Sequence, residues 1–125
     1  MATHNEIGKS GERIACEWIA SRGYTVLHKN WRTGRREVDL IAEKDQCLHF
    51  IEVKTNTTLQ FGYPEQRVSV RKMQHLLKAA EEYLVLHPGC TQIQFDTLSI
   101  LLNPKQHPQI HYFEDVYSFP SDREG

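Results

Sequence analysis

The chain has 125 residues, 39% of them hydrophobic and 25% charged, with a formal net charge of -1 at pH 7. That length suits one domain with a real core and is short for two. The near-zero charge excludes a strongly basic protein that coats nucleic acid. No apolar run approaches the ~18 residues of a membrane span, and the polar start M-A-T-H-N-E lacks the apolar centre of a signal peptide. A cytoplasmic protein with no membrane partner is therefore expected. Cys16, Cys47 and Cys90 are odd in number and widely spaced, which suits reduced thiols rather than a disulfide framework or a zinc knuckle.

The elements follow in order. A first helix is expected from about His4 to Arg22, since Ile7, Gly11, Ile14, Ala15, Trp18 and Ile19 recur at helical spacing and Gly23 is a natural stop. At 100° per residue Glu12 falls at the border of that apolar face, able to lean toward a neighbouring sheet or simply to be solvated. Tyr24 to Asn30 reads as a strand, and Trp31 to Arg35 as a turn around Thr33-Gly34. A second strand, Glu37 to Glu43, is joined through Lys44-Asp45-Gln46 to a third, Cys47 to Thr55. Three short strands so closely connected make an antiparallel meander the economical arrangement.

Asn56 to Gln66 reads as an irregular loop, with Phe61 and Tyr63 able to touch a substrate. Ser69 is a candidate N-cap for a second helix, about Val70 to His87, whose apolar stripe is Met73, Leu76, Leu77, Ala80, Tyr83 and Leu84. The apolar run Gln92 to Leu102 reads as an interior strand, and Gln109 to Tyr117 as a last one. Residues 1–117 thus form a single domain and 118–125 a frayed polar tail. The expected architecture is α+β: a mixed sheet with both helices packed on it.

Charge is concentrated locally. Lys29, Arg32, Arg35 and Arg36 fall together without an acid, and Arg67, Arg71, Lys72 and Lys78 form a second group. Patches of this kind bind phosphate while the total stays near neutral, although solvated faces look the same.

The stretch Arg36 to Thr55 holds the strongest chemical signal. Asp39 lies thirteen residues before Glu52, across one tight turn, so the two can converge on adjoining strands. Lys54 falls on the same face as Glu52, and Ile51 and Val53 on the other. Converging carboxylates repel unless a cation lies between them, and a hard ion such as Mg²⁺ prefers carboxylate and water oxygens. The set then suits metal-assisted hydrolysis, with the lysine orienting water or steadying charge on phosphorus. The plainer reading is an ion pair of Lys54 with Asp39 or Glu52 at a sheet edge.

The motifs G-x-x-G-E at Gly8 to Glu12, N-W-R at Asn30 to Arg32, E-V-D-L-I-A at Glu37 to Ala42, F-I-E-V-K-T at Phe50 to Thr55, G-x-P at Gly62 to Pro64, A-x-x-Y-L at Ala80 to Leu84 and F-D at Phe95-Asp96 carry a resemblance. The chain resembles the YraN-type family of small bacterial proteins grouped with endonucleases. More distantly it is similar to the archaeal Holliday-junction resolvases of the PD-(D/E)xK nuclease superfamily. The resemblance implies a restriction-endonuclease-like αβββαβ core, Asp39, Glu52 and Glu12 at a metal (Mg²⁺, or Mn²⁺), and Lys54 as the catalytic lysine. It also raises Lys72 as a phosphate contact, beside Arg32, Arg35 and Arg36, which the charge of the basic loop makes expected nucleic-acid contacts. It attaches no chemistry to Asp96. Where the superfamily signature has Pro this chain has Val38, and Arg36 and Asn56 stand where relatives carry Gly and a basic residue.

The expected activity is a Mg²⁺-dependent endonuclease acting on structured or branched DNA, with a homodimer suggested by the two-fold junctions that related resolvases cut. The alternatives are a nucleic-acid-binding module with weak or no catalysis, gripping phosphates through Lys29 to Arg36 and stacking Trp31, and a protein-interaction domain on a nuclease fold. Glycine-loop and G-x-S-x-G fingerprints of other enzyme classes do not occur.

Overall fold

The computed structural model describes residues 3–57, 70–89, 92–103 and 105–116. Thr3 opens the first helix, α1 (His4–Ser21), with a reciprocal cap. Its hydroxyl accepts from the Glu6 N–H at 3.1 Å, and the Glu6 carboxylate accepts from the Thr3 N–H at 2.8 Å. Gly23, at φ 90°, lets the chain turn back after the helix. Ala15 and Ile19 are fully buried, as the helical spacing predicts, and Gly11 is buried because the Thr55 side chain lies directly against it.

Five strands follow the order β1 (Thr25–Thr33), β2 (Arg36–Lys44), β3 (Cys47–Asn56), β4 (Ile93–Leu101) and β5 (Gln109–Phe113), and they lie side by side in that order. All neighbours are antiparallel except β3 and β4, which are parallel. The second helix, α2 (Val70–Leu86), lies between those two in sequence, supplying the long connection that parallel neighbours need. The expected α+β class, mixed sheet and αβββαβ order are found, with β5 added at the β4 edge. The β2–β3 turn is a two-residue hairpin in which Asp45 (φ 51°) and Gln46 (φ 64°) both take left-handed conformations, which match the strand twist.

The two helices cover opposite faces. Ala79, Ala80 and Tyr83 of α2 pack on Val38, Ile41, Leu48, Phe50 and Phe95. Ala15 and Ile19 of α1 pack on Leu40, Ala42, Ile51, Leu98 and Ile100. Among the described residues, no helix is long and apolar enough to cross a membrane, and Cys16 and Cys47 are free thiols.

Two strand boundaries differ from expectation. β1 continues to Thr33, through the stretch expected to turn, because Trp31 packs edge-on against Tyr83 of α2 and Arg32 pairs with Glu37 across the ladder at 2.7 Å. The turn narrows to Gly34-Arg35, with Gly34 at φ 61°. β5 stops at Phe113, because Asp115 takes φ 55° and folds back toward β4. The Ser69 cap, the Phe61/Tyr63 loop, Arg67, Cys90, Tyr117 and the 118–125 tail lie outside the described residues.

Asp96, to which sequence attaches no chemistry, is a buried hub at 2% exposure. Its carboxylate accepts from His49 Nδ1 at 2.7 Å, Gln94 Nε2 at 2.9 Å, the Asp115 N–H at 2.9 Å and the Tyr112 hydroxyl. Burial alone would raise this carboxyl, but those donors hold it below the usual carboxylate range. One charge thereby ties β3, β4, β5 and the segment after β5 together.

Candidate functional site

Asp39 occupies a break in the sheet. The β1–β2 ladder passes from Lys29↔Leu40 to Trp31↔Val38 in unchanged register but without a pairing of Asn30 with Asp39, its register shift lying farther back between Val26 and His28, and the β2–β3 pairing ends at Leu40↔Ile51. Past that point β2 and β3 separate, and the Asp39 carboxylate takes the place of a backbone acceptor: Val53 N–H donates to its Oδ2 at 2.8 Å. The break also upsets strict alternation. Val38 packs with Ile41 on the α2 side, whereas Leu40 packs with Ala42 on the α1 side.

Asn30 makes the break on the β1 side. It sits at φ 52°, a left-handed conformation that Asn tolerates better than other side-chain-bearing residues. From there its Nδ2 donates to Glu12 Oε1 at 3.4 Å. Glu12, at the border of the apolar face of α1, therefore leans toward the sheet. Sequence reasoning misses Asn30 as the residue that places it; an Asn inside an otherwise extended strand is the available signal.

Glu52 and Lys54 share a face of β3, with Lys54 Nζ 4.0 Å from Glu52 Oε1. The other oxygen, Oε2, is paired with Lys72 Nζ from the first turn of α2. Lys72, Arg35, Arg36 and His75 line a cleft of about 190 Å³ with Glu37 and Glu52. Of the expected phosphate contacts, the structure thus brings Arg35, Arg36 and Lys72 together. It leaves Arg32 outside, 75% exposed and paired with Glu37. Arg36 is positioned by Glu82 of α2, 3.8 Å away, which also accepts from the Thr33 hydroxyl.

The electrostatics of the acids bear on whether they suit a cation. Burial pushes the Asp39 carboxyl up to about 6; the Val53 N–H opposes this, and the charges of Glu52, Glu12 and Glu37 add to it. Glu52 Oε1 is buried without a hydrogen-bond partner among the described residues. Carboxylate oxygens are the donors that a hard divalent ion prefers. Among the described residues no three His, Cys, Asp or Glu side chains stand close enough to hold a metal between them; Glu52 instead holds Lys72.

Residues 11–100 match the uncharacterised protein family UPF0102. A UPF0102 protein of Flavobacterium psychrophilum is 37% identical over 117 residues, covering 94% of this chain and 98% of that one. A UPF0102 protein of Dictyoglomus turgidum is 42% identical over 103 residues, covering 82% and 87%. Among solved structures, Pyrococcus furiosus SfsA in complex with Ca²⁺ aligns with a TM-score of 0.39 at 17% identity, over 86% of this chain and 62% of that one.

Proposed function

The chain belongs to the uncharacterised protein family UPF0102, and from that premise we propose that it is a Mg²⁺-dependent endonuclease of structured DNA, built on the PD-(D/E)xK plan. The observation that carries the reading is the placement of Asp39: a carboxylate set in the fork between β2 and β3, raised in pKa by burial and flanked by the charges of Glu52 and Glu12. The bond from Val53 N–H gives Asp39 a place in the sheet but does not ask for the charges of Glu52 and Glu12 nearby.

Asp39, Glu52 and Glu12 are the residues that would hold the ion, which when bound polarises a phosphate oxygen and lowers the pKa of water. Lys54, on the Glu52 face, orients the attacking water and steadies the negative charge that grows on the phosphoryl oxygens. Arg35, Arg36 and Lys72 bind the phosphodiester backbone along the cleft and fix its position against Lys54. The Val53 N–H and Asn30 amide keep Asp39 and Glu12 oriented before substrate arrives.

The test is incubation of the purified chain with labelled duplex, flap and four-way-junction DNA in Mg²⁺ or Mn²⁺, beside Asp39→Ala. Cleavage by the wild type that is lost in the variant and in chelator is expected. Product that persists in Asp39→Ala, or no product on any substrate, overturns the reading. Salt-dependent binding without product would leave the arginine-lined cleft as a binding surface alone.

A further inference from the structure

Lys72 and Glu52 come from different elements and differ in freedom. The glutamate side chain is 17% exposed and sits on a central strand, whereas the lysine is 43% exposed and reaches in from α2. The anion is therefore fixed and the cation is tethered on a rotatable stem, a point charge that re-aims easily. Two polar atoms beside the pair make no hydrogen bond among the described residues, although Lys54 Nζ stands 4.0 Å from one of them, Glu52 Oε1. Glu52 Oε1 and, across the same cleft, Arg36 Nε are both buried without a hydrogen-bond partner among the described residues. The first is an acceptor suited to a cation and the second a donor suited to a phosphate oxygen.

We propose that Lys72 is an exchangeable cation. In the metal-free protein it pairs with Glu52 Oε2, while Lys54 stands beside Oε1. When a phosphodiester enters the cleft beside Arg36, Lys72 moves to the phosphate and releases Glu52 to the divalent ion. The inference rests on the nuclease reading and adds to it a coupling: nucleic acid and metal promote each other's binding through one side chain. By linkage, the factor by which DNA raises metal affinity equals the factor by which metal raises DNA affinity. Lys72 is a phosphate-binding residue in this scheme, and before substrate is present it keeps the carboxylate from taking up a metal ion.

The experiment is a Mn²⁺ titration of the full chain by calorimetry, with and without a cleavage-resistant phosphorothioate duplex. Wild type should bind Mn²⁺ about 5-fold or more tightly when the duplex is present, the lower end of common coupling factors. Lys72→Met should bind Mn²⁺ more tightly than wild type without DNA and gain less than about 2-fold from it, the coupling having been removed. Lys72→Arg, whose planar fork grips both carboxylate oxygens, should bind Mn²⁺ more weakly than wild type. Glu52→Gln should abolish the binding in every case. Wild-type Mn²⁺ affinity and wild-type coupling in Lys72→Met would overturn the exchange alone, making the pair a fixed pin between α2 and β3. Mn²⁺ that binds neither protein, or binds Glu52→Gln unchanged, would overturn the nuclease reading as well.

Discussion

Replacing Asp39 by Asn should stabilise the metal-free protein while abolishing cleavage. Asn keeps a side-chain oxygen to accept from Val53 N–H, now held at 2.8 Å, and removes the charge. In the fold the carboxyl is pushed up to about 6 from an ordinary 3.8, by burial first and then, against the Val53 N–H, by Glu52, Glu12 and Glu37. A raised carboxyl favours the fold when protonated. Its destabilisation is absent below 3.8, grows as pH rises to about 6, and is constant above. At 1.36 kcal/mol per pH unit, the charge costs the fold at most about 3 kcal/mol at neutral pH, so Asp39→Asn should gain about 1–3 kcal/mol there. Urea unfolding of both proteins at pH 7.5 and pH 4, in chelator, measures it: the gap should be open at the first pH and nearly closed at the second. A variant no more stable than wild type at pH 7.5, or a gap that persists in acid, would refute the electrostatic reasoning.

Lys54→Met should leave folding and DNA binding intact and slow cleavage on the order of 10²–10³-fold, as loss of a group that meets developing charge does; single-turnover rates with saturating enzyme separate the two effects. Gly11→Ala should destabilise the fold by about 1–3 kcal/mol through overpacking. The added Cβ would lie against Thr55 Oγ1 and 2.9 Å from Thr55 Cβ, so the double variant with Thr55→Ala, which keeps that Cβ, should recover only part of the lost melting temperature. Tyr112→Phe removes a donor to the Asp96 carboxylate and should cost about 1.5–3 kcal/mol, the range for hydrogen bonds to charged groups. Because the Asp96 carboxyl is held low, its bonds stabilise the fold above the ordinary carboxyl value and lose that effect as pH falls below it. The deficit of Tyr112→Phe in denaturant titrations should therefore be largest at neutral pH and shrink in acid.

The helices and the β2–β3 hairpin are legible in the sequence because periodicity reports them directly. Gly11, Ala15 and Ile19 recur at helical spacing and are buried in α1, and Ala80 and Tyr83 serve α2 in the same way. Alternation likewise places Glu52 with Lys54. It fails at Asp39, because alternation assumes a regular ladder and the ladder breaks where Asn30 turns left-handed. The Lys72–Glu52 pair joins a strand to a helix beyond an intervening loop, and no local pattern records such a meeting. Asp96 is the extreme case: a lone acid in an apolar run, with partners in the chain at His49, Tyr112 and Asp115. Its neighbours in sequence, apart from Gln94, say nothing of them.

The bonds of Asp96 also determine where the chain can be cut. The family match ends at residue 100, before β5 and before Asp115. A fragment trimmed to that span would strip the carboxylate of Tyr112 and of the Asp115 N–H, and would remove the bond from Val116 N–H to Phe95 O at 2.8 Å. β4, with Leu98 and Ile100 fully buried, would become a long apolar sheet edge open to pairing with other chains. Such a fragment should accumulate as aggregate although it contains Glu12, Asp39, Glu52, Lys54 and Lys72. The smallest span that keeps both contacts runs through Val116, so an aspartate remote from the proposed chemistry sets the C-terminal limit of a working piece.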